Sequence, residues 1–160
     1  MNDNLLWLYM INDNVLKVNS EGVTHDESLI HSEHGGNCIN WVIGHVLISR
    51  MHLLKFLDVE WKLPEIIVPL YNRGTSGDGY DQFMQLEKLK ELWGESQKLL
   101  TETIGALTPE QLGETAPTFG DFTKPDTRER RILFLHFHES YHLGQLGLMR
   151  RLLGKQGAIQ

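Results

Sequence analysis

Ile132-Leu133-Phe134-Leu135-His136-Phe137-His138-Glu139-Ser140-Tyr141-His142-Leu143-Gly144-Gln145-Leu146-Gly147-Leu148-Met149-Arg150-Arg151-Leu152-Leu153 places Leu135, His138, His142, Leu146, Met149 and Leu153 at intervals of three and four. That is the repeat of one face of an α-helix. The helix is predicted to start at Asp126 or Thr127, with Glu129 near its positive end, Arg150 and Arg151 in its last turn and Gly154 at its stop. It would be roughly 40 Å long. No residue on this face breaks the helix, yet two of its inward positions are histidines.

Working outward, three further long helices are predicted. The first spans about Asn4 to Val18, with Leu5, Leu8, Ile11, Val15 and Val18 as its inner stripe and Gly22 beyond its end. A loop over Thr24–Gly36 follows, with a short turn near Asp26–Ile30. The second helix spans about Asn37 to Leu57, capped by Asn37 after Gly35-Gly36. Residues 58 to 80 read as irregular, punctuated by Pro64 and Pro69, and Arg73–Gly79 as a mobile loop without an apolar anchor. The third helix spans Asp81 to Ala106, burying Phe83, Leu86, Leu89, Trp93, Leu100 and Ile104. Thr108-Pro109-Glu110-Gln111 then has the pattern of a capping box with proline at the first helical position, so a short helix follows, and residues 113 to 125 form a loop. No segment alternates as a strand. The expectation is an all-α chain, one four-helix-bundle domain over residues 1–160, with a long connection between its second and third helices.

Composition bounds the function. The chain has 160 residues, is 41% hydrophobic, and so can bury one substantial core. A net charge of −6 without a sustained basic face argues against wrapping nucleic acid. No apolar run approaches the roughly 20 residues of a membrane helix. A lone cysteine, Cys38, excludes an intrachain disulfide, and Met1-Asn2-Asp3-Asn4 has an acid where a secretory signal has a base. A cytoplasmic location is expected. Eight histidines are the one unusual count, and their placement has to account for them.

His138 and His142 lie one helical turn apart, close enough for one ion to join both rings. The second helix repeats the anomaly. Its stripe reads Cys38, Val42, His45, Ser49, His52 and Phe56, and Gly44 beside His45 would let a neighbouring helix come close. Three buried neutral imidazoles carry six nitrogens that need partners; a metal ion satisfies three at once, an apolar core none.

His138-Glu139-Ser140-Tyr141-His142 also matches H-E-x-x-H, in which the glutamate of a metalloprotease activates water. The extensions of that motif are missing. Gln145 and Leu148 stand where glycine and histidine would be needed, and no Asp or Glu follows Glu139. Glu139 is then expected to be a solvated helix residue.

Glu139, Gln145 and Tyr141 are the candidates for catalysis, Tyr141 as a core aromatic with its hydroxyl at the rim. Asn40, His52 and Arg131 are candidates for substrate binding, and Asn40 and Gln145 equally for orienting ligands. His52 is roughly 10.5 Å along the axis from His45, too far to share an ion directly. His25, His31 and His34 are expected at the surface.

Asn37-Cys38-Ile39-Asn40-Trp41-Val42-Ile43-Gly44-His45-Val46 resembles the second-helix signature of the DinB/YfiT-like superfamily, and His138-Glu139-Ser140-Tyr141-His142-Leu143-Gly144-Gln145-Leu146 its fourth-helix signature, H-x-x-x-H-x-G-Q. The resemblance implies a four-helix bundle holding one divalent metal ion on His45, His138 and His142. It also implies enzymes that use low-molecular-weight thiols such as bacillithiol, mycothiol or glutathione for S-transfer or isomerisation, and a homodimer. Two positions depart from the pattern: Leu143 replaces an arginine, and Phe134 a further histidine.

Three neutral imidazoles would leave a divalent ion an open position, as in catalytic rather than structural zinc sites. All-nitrogen ligation suits zinc, nickel, iron or copper, with zinc or nickel preferred. The expected function is a metal-dependent transferase using a small thiol, or a small hydrolase, acting on a small molecule. The contrasting expectation is a non-catalytic metal-binding bundle that works through dimerisation or a protein partner. Metal affinity is expected to fall below about pH 6, where free imidazole protonates.

Overall fold

The computed structural model describes residues 2–33, 36–75, 80–117 and 127–159. Seven α-helices and no strand occur among them: α1 Asn2–Ser20, α2 His25–Ser28, α3 Ile39–Phe56, α4 Ile67–Tyr71, α5 Leu86–Ala106, α6 Pro109–Gly113 and α7 Arg128–Leu152. The four long helices match the predicted ones. α3 packs against α5 and α7, and α1 packs against the same two.

The helix ends follow local chemistry. Thr127 caps α7 through its side chain, which accepts from the Arg130 N–H, and Gly154 closes it with φ of 74°. Asp126, the other predicted start, lies outside the described residues, as do His34 and residues 76–79 of the predicted mobile loop. Cys38, not Asn37, caps α3: its Sγ accepts from the Trp41 N–H. Thr24 with Glu27 and Thr108 with Gln111 form capping boxes at α2 and α6. The third long helix starts five residues later than predicted, because Tyr80–Gln82 forms a separate 3-10 turn and Phe83 is buried ahead of the helix. His25, expected at the surface, accepts at Nδ1 from the Leu86 N–H and so helps to start α5.

Two predictions fail for instructive reasons. The stretch 58–80 is not wholly irregular, since α4 forms within it and packs on α3. The inner face of α1 is also not the predicted one. Leu5 is buried, but Val18 is 41% exposed, and the buried set includes Asn12, Asp13, Asn19 and Ser20. A hydropathy stripe assigns such polar residues to solvent, whereas partners on other elements hold several of them inside. Asp13 Oδ1 accepts from Trp93 Nε1 at 3.0 Å, and Asn19 Oδ1 accepts from the Ala158 N–H at 2.9 Å.

Most of the core lies between α3, α5 and α7, around Ile43, Leu47, Leu89, Trp93 and Leu146, with a second cluster around Tyr9, Leu54, Leu100 and Ile132. α3 is buried almost all round, which is why histidine there is conspicuous.

Candidate metal centre

α3 and α7 carry the three histidines that the stripes single out, and their packing brings the rings together. One nitrogen from each of His45, His138 and His142 lies within 4.8 Å of the other two. His138 and His142, one turn apart on α7, bring their Nε2 atoms to 3.2 Å. Two ligand nitrogens on one tetrahedral zinc stand roughly 3.3 Å apart, given Zn–N bonds near 2.0–2.1 Å.

The opposite edge of each ring is held from outside. His45 Nδ1 meets the Tyr71 carbonyl at 2.9 Å, His142 Nδ1 meets Gln145 Oε1 at 3.1 Å, and His138 Nδ1 meets Ser49 Oγ at 3.4 Å. Carbonyl and amide oxygens only accept, so His45 and His142 must carry their protons on Nδ1. Their Nε2 lone pairs are then turned inward. A third lone pair, from His138, completes the set once its Nδ1–H donates to Ser49. With the rings in these tautomers three Nε2 lone pairs face one point, a donor set that fits a divalent metal ion; without an ion, His138 Nε2–H can instead donate to His142 Nε2 at 3.2 Å. Outer partners on the far ring nitrogen are the usual company of metal-ligating histidines.

Burial and mutual charge both favour the neutral rings. Desolvation, then the neighbouring His142 and His45, lowers His138 to about 4. Burial also lowers His142 and His45, the latter helped by the positive charge of Arg73. The expected acid limit near pH 6 therefore moves down. In the metal-free chain these rings resist protonation until well below the ordinary histidine value. The folded state binds fewer protons than the unfolded chain across that interval, so stability falls as pH drops from about 6.5 toward about 4. Denaturant melts of chelated protein at stepped pH should show this loss, and His138→Ala should shrink it. Metal affinity should hold through pH 6 and fall only as the pH approaches the lowered value of His138, about 4.

Gly44 explains how Tyr71 reaches His45. A Cβ at Gly44 would lie 2.3–2.7 Å from three atoms of the Tyr71 ring. That ring is pinned, since its hydroxyl donates to Asn40 Oδ1 at 2.8 Å and accepts from the Met84 N–H at 2.8 Å. Its carbonyl, freed at the C-terminus of α4, is the one that His45 takes up. Gly44→Ala should cost about 1–3 kcal/mol by overpacking. It should also weaken metal binding roughly tenfold by moving an outer partner. A denaturation curve with a competitive chelator titration measures both.

The other sequence candidates divide. Gln145 orients His142. Tyr141 is 62% exposed, not a core aromatic, and sets its ring edge-on to His142 at 5.6 Å. Asn40 is fully buried and committed to Tyr71, Met84 and Ser28; that engagement corrects its candidacy for substrate binding and makes it a brace behind Tyr71. Glu139 is corrected too. It is 2% exposed, not solvated, and both its oxygens accept from Arg50 at 2.8 Å.

His52 and Arg131 line a recess of about 320 Å³ together with His45, His138, Ser49 and Arg73. Trp41 stacks on His45 at 4.7 Å between centroids, and its Nε1–H donates to Thr75 at 2.9 Å. Sequence reading missed Tyr71, Arg73 and Trp41 as neighbours of the site. Tyr71 contributes through its backbone, which leaves no trace in residue type. Ser49 stood in the α3 stripe as a polar residue among apolar ones, and that signal was available.

No helix among the described residues is long and apolar enough to cross a membrane. No curated protein matches the sequence. The fold resembles the crystal structure of a conserved protein from Enterococcus faecalis, with a TM-score of 0.68 and 15% identity over 97% of this chain and 98% of that one. A model of the DinB superfamily matches residues 14–146, which include all three histidines. With most of its length matched and the helical fold shared, the chain belongs to the DinB superfamily.

Proposed function

We propose that the chain is a single-domain four-helix bundle in which His45, His138 and His142 hold one divalent ion, zinc or nickel. Its activity is the transfer of a low-molecular-weight thiol onto a small electrophile, in the cytoplasm and as a homodimer. The observation that carries this reading is the convergence of three imidazoles whose far nitrogens each meet an outer partner. A divalent ion on three neutral rings keeps its charge and an open position, and supplies the Lewis acidity that makes a thiol or a water nucleophilic at neutral pH.

The residues around the trio favour thiol over water. Hydrolysis calls for a general base within reach of the water. Glu139, the carboxylate next to His138, is committed to Arg50, and the described residues lining the recess include no Asp or Glu. A thiol, with pKa near 8.5, needs less help to ionise. Arg73 and Arg131 at the recess give positive charge to an anionic thiol, and Trp41 shields one face of His45 from water. In the transfer a carbon–sulfur bond forms, the leaving group departs from carbon and the S–H proton passes to solvent.

Protein loaded with zinc or nickel should consume bacillithiol, mycothiol or glutathione in the presence of an alkylating electrophile. Chelation should stop the reaction, and the metal should restore it. Metal-loaded protein that turns over none of these thiols would favour the non-catalytic bundle instead.

A further inference from the structure

The outward side of α7 lacks the charges that a bundle helix turns to water. Leu133, Phe137, Tyr141, Gly144, Leu148 and Leu152 follow one another along it at intervals of four or three. Leu133 is 39% exposed, and the four larger side chains after it are 58–62% exposed. From Leu133 to Leu148 the sequence has a single Asp, Glu, Lys or Arg, and that residue, Glu139, is buried.

α1 extends this surface. It runs beside α7 in the same direction, with Tyr9 meeting Ile132, Asn12 meeting Ser140 and Asn19 meeting Arg150. Trp7, Ile11 and Val15 recur along α1 at intervals of four, and Trp7 is 57% exposed. Ile11 and Val15, which the hydropathy stripe assigns to the core, are only partly buried. They line an open apolar groove of about 490 Å³ between the two helices, together with Gly144 and Leu148.

We infer that this α1/α7 face binds a second copy of the chain, related by a two-fold axis that crosses α7 near Gly144. The inference supplies the surface for the homodimer proposed above and uses no step of the metal chemistry. Area supports it. Aromatic side chains bury about 150–250 Å² each, so Trp7, Phe137 and Tyr141 each leave roughly 100 Å² open. With the exposed leucines the face offers roughly 700 Å², close to the about 800 Å² that each partner gives to a standard interface. Shape supports a copy of the same chain. The projecting Phe137 and Tyr141 and the groove lie side by side on one surface, so a two-fold axis sets the ridge of each copy toward the groove of the other. Gly144 gives the crossing point. Glycine is unfavourable inside a helix, and a Cβ here would meet nothing within 4 Å, so the single chain has no need of it. Two α7 helices crossing at the middle of the stripe do need it, because it lets their backbones approach. A membrane surface is the poorer occupant, since it would call for a Lys- and Arg-rich border on a chain whose net charge is −6.

Analytical ultracentrifugation of the full-length protein from micromolar to about 100 micromolar tests the face. The parent should sediment as a dimer. Phe137→Glu and Leu148→Glu each place a charge at the centre of the interface and should raise the dimer Kd at least about 100-fold. Both side chains are exposed in the single chain, so helix content by circular dichroism should not change. Gly144→Trp, which meets no neighbour within one chain, should weaken the dimer at least about tenfold, and it decides alone if a glutamate variant loses helix content. Ile66→Glu, at a 42% exposed apolar residue beside α4, should leave the dimer intact. A dimeric parent that keeps its Kd in Phe137→Glu, Leu148→Glu and Gly144→Trp would overturn this inference and leave the homodimer standing on another surface. A parent that stays monomeric throughout would overturn both, including one that instead sediments with phosphatidylcholine–phosphatidylglycerol vesicles.

Discussion

His45→Ala, His138→Ala and His142→Ala should each purify with less than about a tenth of an equivalent of metal, whereas the parent carries about one. The rings do not contribute equally to structure. His138 and His142 sit one turn apart on a single helix, and α7 would hold their mutual spacing without α3. His45 comes from α3 and is fixed by stacking on Trp41 and by the Tyr71 carbonyl. Loss of His45 leaves a two-histidine site on one helix, and loss of either α7 histidine leaves two ligands on different helices. Both should fall at least about 100-fold in affinity, beyond the 10–100-fold expected from disturbing an outer partner. Gln145→Ala belongs to that milder class, since it frees His142 Nδ1 without removing a ligand. Elemental analysis and competitive chelator titration separate the two classes. Full stoichiometric metal in all three alanine variants would end the proposal of a three-histidine site.

How much of this was legible beforehand depends on where information sits in a chain. The α7 stripe was legible because helical spacing puts His138 and His142 where leucine belongs, and no solvent-facing reading accounts for both. The α3 stripe gave His45 by the same logic, and Gly44 gave the close approach of another element. That element was not legible. α4 is only Ile67–Tyr71, too short for a periodic signal, and Pro69 within it reads as a breaker. The buried face of α1 was misread because Asn12, Asp13 and Asn19 are polar by type and buried by partnership. Glu139 was misread for the same reason. A carboxylate looks solvated until the arginine that neutralises it is known, and Arg50 is far away in sequence. Periodicity finds what apolar surface drives; pairings between distant polar groups need the fold.

Arg50→Met should destabilise the fold by about 3–5 kcal/mol, since it leaves the Glu139 carboxylate buried without a counter-charge. The arginine is 2% exposed and ties three helices. Its Nε and one terminal nitrogen grip Glu139 on α7 at 2.8 Å each. Its terminal nitrogens also donate to Ser96 Oγ at 3.1 Å, to Gln97 Oε1 at 3.0 Å and to the Trp93 carbonyl at 3.4 Å, all on α5. The guanidinium lies 3.4 Å from the Trp93 ring centroid, flat against an apolar face that tolerates its weak hydration. Lysine cannot copy this fork, so Arg50→Lys should recover only part of the loss.

The double variant Arg50→Met/Glu139→Leu is the informative one. It removes both charges and refills the space with apolar groups, and should be more stable than either single variant. The pair lies directly behind the trio: Glu139 follows His138, and Arg50 follows Ser49, the partner of His138 Nδ1. If the pair is what holds α3 and α7 in register, the double variant loses metal affinity even when folded, whereas full metal in the folded double variant means that apolar packing alone sets the register. Urea unfolding of chelated protein, followed by circular dichroism, gives the stabilities, and metal analysis of the same samples gives occupancy. Single variants within about 1 kcal/mol of the parent would mean that Glu139 finds solvent or another partner when Arg50 is gone, and that the pair is not what fixes the two helices.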